Sequence, residues 1–464
     1  MFAPDIYINR RNNLRKMSPS GVILLLGHDE APLNYAGNTY RFRQDSNFLY
    51  FFGLSLPKLA GVIDIEEGTD CLYGDDIDVE DIIWNGDMLP MQQLAAKVGV
   101  SSVTSFENLK IKLQSEIRKG RKIHFAPPYR SDTKILLSDL LGLRIQNIES
   151  YVSKKLVHSI VQLRSEKEEC ELAEIENASN TGYEMHTAAM RLCKPGIPEH
   201  VIAEALEGIA ASANGMTSFP VILSQNSEIL HNHCHDNILQ QGRLMLTDAG
   251  AETASGYASD FTRTVPVGGK FSSKQADIYN IVLAANNLAI KTAKPGITYF
   301  EVHIAAAKLI AEGLKNVGLM KGNIDDAVCN GAHAMFFPHG LGHMMGLDVH
   351  DMESLGENYV GYDDETVRST QFGTAYLRLG RRLKKNFVLT VEPGIYFIPA
   401  LIAKWENEKI NRSFINFNKV HEYLDFGGIR LEDDIVITDS GCRLTGKKRI
   451  PITVEEVENE MQSL

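Results

Sequence analysis

The tetrapeptide Lys194-Pro195-Gly196-Ile197 recurs as Lys294-Pro295-Gly296-Ile297, and each copy stands between two helical stretches. Upstream of the first, "RSEKEECELAEIENASNTGYEMHTAAMRLC" predicts a long helix, with Ser165 and Glu168 spaced as a capping box. Upstream of the second, "SSKQADIYNIVLAANNLAIKTA" opens with the same spacing, Ser272 and Gln275. Downstream, Val201, Ile202, Ala205, Leu206 and Ile209 recur at helical spacing, and "KPGITYFEVHIAAAKLIAEGLKN" repeats the design. Strand-like, histidine-containing sequence follows each copy. A repeated unit that cannot bury its apolar face alone predicts two similar halves around a shared sheet.

The chain before this repeat reads differently. "GVILLLG" (21–27), "LAGVIDI" (59–65) and "KIHFAPP" (122–128) have the form of buried strands, with helical "MQQLAAKVG" and "FENLKIKLQSEIRKG" between them. Alternating strands and helices predict an α/β domain. The division expected is an N-terminal domain over 1–158 and a second domain over 159–464. A chain of 464 residues, 44% hydrophobic, is long enough for two cores. Its formal net charge of −12 argues against a nucleic-acid surface, which needs clustered cations. The six cysteines form no CxxC pair, the opening residues lack the apolar core of a signal peptide, and the run Val22–Leu26 is too short to span a bilayer. The expectation is a cytoplasmic protein that does not use a membrane.

Four segments carry candidate chemistry. In "LMLTDAGAETASGYASDFTRTVPV" (244–267), Asp248 and Asp260 lie at the ends of two strands joined by a turn. Aspartate is disfavoured in strands, so two that face each other across a hairpin repel unless a cation lies between; read alone, they are also ordinary turn-capping residues. In "FVLTVEPGIYF" and "GGIRLEDDIVIT", Glu392 and Glu432 interrupt apolar, strand-like runs. A buried glutamate is rare unless paired or metal-bound, whereas an edge strand would leave it in water. The fourth segment, "HGLGHMMGLDVHD" (339–351), gathers His339, His343 and His350 with glycines that allow close backbone approach. Four carboxylates and one imidazole suffice for two divalent cations, with charges of about +4 and −4 in balance. Ligation rich in carboxylate and free of thiolate favours Mn²⁺ over a structural zinc, with Co²⁺, Fe²⁺ or Zn²⁺ as alternatives.

The ordered set "TDAGAETASGYASDFTRT", "HGLGHMMGLDVHD", "LTVEPGIYF" and "GGIRLEDD" resembles the pita-bread metallopeptidases that cleave before proline, the prolidases and aminopeptidases P, over roughly residues 160–450. The resemblance implies a creatinase/prolidase-type α/β N-terminal domain followed by an α+β pita-bread catalytic domain with an internal pseudo-twofold repeat. It implies that Asp248, Asp260, His343, Glu392 and Glu432 hold two metal ions, and that an activated hydroxide attacks the Xaa-Pro carbonyl. Glu392 would take the proton of the attacking water. His350 and Arg430 would assist at the developing charges, and His339 and His231 would position substrate. Homodimers are common in such a family. Where relatives often carry Pro-Gly ahead of Glu392, this chain has Lys385-Asn386, and asparagine tolerates the left-handed turn better than most residues. His333 reads as a core histidine. His231, His233 and His235 would share one face of a strand, which leaves a three-histidine zinc strand as an alternative.

Substrate length turns on the groups beyond proline. A dipeptide ends there in a carboxylate that needs a cation, and prolidases place an arginine where this chain has Arg378. The insert 397–430 also resembles prolidase, whereas "YRFRQDSNFLYFFG" (40–53) resembles aminopeptidase P. Arg378 equally reads as a surface arginine beside Arg381 and Arg382. The expectation is a Xaa-Pro dipeptidase acting on a small peptide with proline second. The alternatives are a Xaa-Pro aminopeptidase and, on the same fold without catalysis, a binding protein.

Overall fold

The computed structural model describes residues 1–463. The chain separates into two compact units, Met1–Arg164 with Met352–Tyr359, and Ser165–Asp351 with the chain from Val360 onward. This differs from the expected division at 158/159, because the helix Lys154–Ser165 runs through that point and 352–359 belongs with the first unit.

In the first unit, Val22–Leu26, Ala60–Asp64, Asp70–Tyr73, Ser102–Thr104 and Ile123–His124 form one five-stranded mixed sheet. Ala60–Asp64 is its middle strand, and Val22–Leu26 lies antiparallel to it on one side and parallel to Ile123–His124 on the other. The helices Asn108–Arg118 and Ser131–Leu141 bury Leu109, Leu113 and Leu137 against Val22, Leu24 and Val62. The α/β reading of this region holds.

The second unit is built on the repeat. Helices α1 (Glu169–Leu192) and α2 (Glu199–Ser212) precede strands β1 (Ile222–Ser224), β2 (Leu244–Ala249) and β3 (Phe261–Pro266). Helices α3 (Ser273–Thr292) and α4 (Tyr299–Asn316) precede β4 (Val388–Val391), β5 (Gly394–Tyr396), β6 (Gly428–Arg430), β7 (Asp433–Ile437) and β8 (Cys442–Leu444). The two tetrapeptides make the same hook. Gly196 and Gly296 adopt φ of 85° and 90°, a region that glycine enters without strain. Ile197 O accepts from Leu239 N at 2.9 Å, and Ile297 O accepts from Leu383 N at 2.8 Å. Each hook thus ties a helix pair to the segment just ahead of its half's first long strand, β2 or β4.

The antiparallel sheet β3-β2-β1 comes from the first half, and β4-β7-β8 and β5-β6 come from the second. They are joined where Glu432 N donates to Thr262 O at 3.0 Å, a bridge between the halves.

The Ser272–Gln275 capping box forms as expected, but the one at Ser165 does not. Ser165 ends the preceding helix, and Glu168 itself caps α1 in a box with Glu171. A carboxylate accepts the first free N–H groups of a helix as well as a hydroxyl does, and its charge suits the helix N-terminus. Val201, placed on the apolar stripe, is 45% exposed, whereas Ile202 and Leu206 are fully buried. Among the described residues, no helix is long and apolar enough to cross a membrane.

His303 on α4 and His333 lie fully buried with ring centroids 6.3 Å apart, and no ring nitrogen of either has a hydrogen-bond partner. Burial holds His303 at about 3, with His333 adding to the shift, and burial holds His333 at about 4. Both stay neutral in the fold, while the unfolded chain takes up protons below about 6.5. Their stabilising contribution is therefore complete above about pH 6.5 and declines as pH falls toward 4. Each histidine contributes a slope of up to about 1.4 kcal/mol per pH unit. Urea unfolding at pH 7 and pH 5 should show His333→Leu flattening this acid dependence; an unchanged slope would mean the imidazole is not protonated on unfolding.

Candidate active site

A cavity of about 620 Å³ opens in the second unit, and all ten residues singled out from the sequence line it. Asp248 is the penultimate residue of β2, opposite Thr262, and Asp260 immediately precedes β3, so the hairpin brings two carboxylates to one end. Glu392 and Glu432 occupy the connections between β4 and β5 and between β6 and β7. In both places a strand stops for one or two residues and re-pairs with another partner. That frees the glutamate from the ladder without exposing it: Glu432 is 2% exposed. The edge-strand reading of Glu432 is thereby excluded.

His343 approaches from the glycine-rich loop. Its Nδ1 lies 2.9 Å from Met344 O, and a carbonyl can only accept, so Nδ1 carries the proton. Nε2 then turns its lone pair toward the carboxylates, 3.4 Å from Asp260 Oδ2 and 3.9 Å from Glu392 Oε1. This fixed tautomer suits a metal ligand. Gly342 permits the approach, because a Cβ there would lie 2.1 Å from Thr390 O.

The carboxylates crowd one another in a buried setting. Burial pushes Asp260 well above the carboxylate range, and Asp248 pushes it further. Burial raises Glu432 likewise, reinforced by Asp260 and Glu392, and raises Glu392 to about 7 despite the opposing charges of His343 and Arg430. Asp248 Oδ1 and Asp260 Oδ1 are buried without hydrogen-bond partners. One ligand atom each from Asp260, His343 and Glu432 lie within 4.8 Å of one another. Clustered buried oxygens, orphaned acceptors and an aimed imidazole fit divalent cations.

Arg430, 3% exposed, is the hub of this wall. Its Nη2 pairs with Asp248 Oδ2, its Nε donates to Thr262 Oγ1 at 2.9 Å, and its Nη1 donates to Tyr396 Oη at 2.9 Å. Thr262 Oγ1 in turn donates to Glu432 Oε2 at 2.6 Å. Tyr396 donates to His339 Nε2 at 3.0 Å, because His339 Nδ1 already spends its proton on Gly340 O at 2.8 Å. Both nitrogens of His339 are therefore engaged, and a direct hydrogen bond from its Nε2 to a peptide requires Tyr396 to turn aside. Thr262 and Tyr396 were not singled out from the sequence. The only hint of either is its place two residues from Asp260 or four from Glu392.

His350 sets its ring edge-on to His343, with centroids 4.2 Å apart and planes at 66°, and His231 and Arg378 complete the cavity wall. The segment 231–235 is a turn and irregular chain rather than a strand, so the shared-face argument for three histidines fails. His235 instead turns its Nδ1 to Leu223 O at 3.0 Å. Asn386, ahead of β4, adopts the left-handed φ of 62° expected for it.

Comparisons with known proteins agree with this geometry. The profile of metallopeptidase family M24 matches residues 173–439, and that of the aminopeptidase P N-terminal domain matches residues 7–124. The human Xaa-Pro dipeptidase is 31% identical over 95% of this chain and 88% of its own length. A probable Xaa-Pro aminopeptidase of Fusarium vanettenii is 32% identical over 91% of this chain and 87% of its own. Among solved structures, Escherichia coli aminopeptidase P with the inhibitor Pro-Leu superposes with a TM-score of 0.80 at 27% identity, over 99% of this chain and 98% of that one.

Proposed function

Since this chain belongs to metallopeptidase family M24, we propose that it hydrolyses the bond between a residue Xaa and a following proline, with Xaa-Pro dipeptides as its preferred substrates. The observation that carries the proposal is the convergence of Asp248, Asp260, His343, Glu392 and Glu432 on one cavity that also holds Arg378 and His231. These five residues would hold two divalent ions, Mn²⁺ before Co²⁺, Fe²⁺ or Zn²⁺, given four carboxylates and no thiolate. When bound, the ions supply Lewis acidity and lower the pKa of water.

The chain's own groups do the remaining work. Glu392 receives the proton of the attacking water and delivers it to the proline nitrogen as the amide breaks. His350 and His231 donate to the oxygen that gains charge and hold the peptide in place. Arg430 keeps Asp248, Thr262 and Tyr396 in register, and through Tyr396 it fixes the plane of His339. Arg378 pairs with the carboxylate that ends a dipeptide. Proline lacks an N–H and restricts φ, which defeats sites built to read an ordinary backbone and calls for one that reads the chain terminus.

The catalytic residues fall within the expected domain over 159–464. Free cysteines throughout suit a reducing cytoplasm, and the exposed Val79, Ile83 and Trp84 offer an apolar surface for a homodimer. A second reading, release of the residue before proline from longer peptides, is favoured by the likeness to aminopeptidase P. With Mn²⁺ added, a Xaa-Pro dipeptide should be cleaved with a higher kcat/KM than a Xaa-Pro-Yaa tripeptide. The reverse order would establish the aminopeptidase, and no cleavage of either would remove the peptidase reading.

A further inference from the structure

Lys167 and Asp351 form an ion pair, Nζ to Oδ2 2.9 Å, with both side chains 1% exposed and the residues 184 apart in the chain. Neither lines the cavity. The pair lies under the loop that carries His343 and His350, and the loop closes tightly over it. A Cβ on Gly346 would stand 2.6 Å from Asp351 Oδ2 and 2.8 Å from Lys167 Cε.

Three segments that bear site residues meet at this pair. The loop itself is cinched where Asp351 N donates to Met344 O at 2.9 Å. Gly346 O accepts from Ala258 N at 2.8 Å, which ties the loop to the chain just before Asp260. Lys167 N donates to Asn386 O at 2.9 Å, and Asn386 Nδ2 returns a bond to Lys167 O at 3.0 Å, which ties Lys167 to the turn that opens β4 toward Glu392.

A buried ion pair contributes little net stability over an apolar pair of equal size, since both charges must leave water. What it supplies instead is direction: an ammonium and a carboxylate meet at one distance and angle, whereas methylenes slide. We infer that the Lys167–Asp351 pair is a positioning device that sets His343 and His350 against Asp260 and Glu392. The roles given to those four residues rest on the proposed function; the positioning itself can be read from metal binding alone.

The test compares wild type with Lys167→Met/Asp351→Leu, which keeps the volume and removes both charges, and with Asp351→Asn. Thermal unfolding, kcat and KM on a Xaa-Pro dipeptide, and Co²⁺ affinity with its visible absorption spectrum are measured on each. The double variant should unfold within about 5 °C of wild type. Its kcat should fall by about tenfold or more with KM changed less than about threefold, and Co²⁺ should bind about 10–100-fold more weakly with an altered spectrum. A folded double variant with wild-type kcat, affinity and spectrum would overturn the inference. If the double variant does not fold, Asp351→Asn and Gly346→Ala decide. Gly346 does not need a left-handed φ, and the three atoms nearest its new Cβ all belong to Asp351 and Lys167. Lower kcat and weaker Co²⁺ binding in these two support positioning, and unchanged values in both refute it. A wild type inactive on Xaa-Pro substrates would sink the proposed function, while the Co²⁺ comparison would still settle the role of the pair.

Discussion

Glu432→Ala is expected to abolish hydrolysis of Xaa-Pro substrates and to release at least one divalent ion while the fold persists. Glu432 is 2% exposed, and its Oε2 accepts from Thr262 Oγ1 at 2.6 Å. Its loss leaves bound cations with excess positive charge and an open coordination position. Groups that merely orient metal ligands cost 10–100-fold when removed, so a ligand should cost more than about 100-fold in kcat/KM. Stability should change little in the metal-free protein, because the substitution removes a carboxylate that burial, and then Asp260, Glu392 and Asp248, push well above the usual carboxylate range. Asp260→Ala should behave the same way. Metal analysis of the purified variants beside turnover checks this; two ions retained with full activity would remove Glu432 from the site. His233→Ala and His235→Ala should keep the metal content of wild type, and loss of an ion there would restore the histidine-rich alternative.

The second large effect concerns Arg378. If a dipeptide's terminal carboxylate pairs with this guanidinium, the charge-assisted contact contributes about 1.5–3 kcal/mol. Arg378→Ala should then lower kcat/KM for a Xaa-Pro dipeptide by roughly tenfold to a few hundredfold. A substrate with an amidated proline never makes the contact, so wild type and variant should treat it alike. Lysine should rescue only in part, because it lacks the bidentate fork. An equal loss on both substrates would make Arg378 structural. A wild type that prefers tripeptides and ignores the loss of Arg378 would establish the aminopeptidase.

The residues legible in the sequence are those whose chemistry clashes with their surroundings. Asp248, Asp260, Glu392 and Glu432 stand out because carboxylates interrupt apolar strands, and a local window is enough to see it. The KPGI hooks were legible for a related reason: a proline and a glycine between two helices mark a turn whatever the rest of the chain does. What stayed hidden acts across long separations. Tyr396 matters because it joins Arg430 to His339, and Thr262 because it joins Arg430 to Glu432. Nothing within a dozen residues of either announces a partner. The same holds for Lys167, one of many lysines until Asp351 is folded against it. The errors also have physical sources. Alternating histidines at 231–235 imitate a strand's period of two but lack the apolar partner face that makes a strand pair. Ser165 matched a capping pattern without competition from Glu168, which fulfils it better.

The matching hooks at Ile197 and Ile297 have one more consequence. Asp248 and Asp260 belong to one half of the repeat, and His343, Glu392 and Glu432 belong to the other. Neither half by itself contains all five of these residues. The cavity is therefore a property of the seam, in the way a keyhole belongs to neither leaf of a double door. If divalent ions take ligands from both halves, binding them would favour the joined state by mass action and so fasten the halves together. The repeat in this chain does not present two sites; it makes the pairing of the halves the condition for having one.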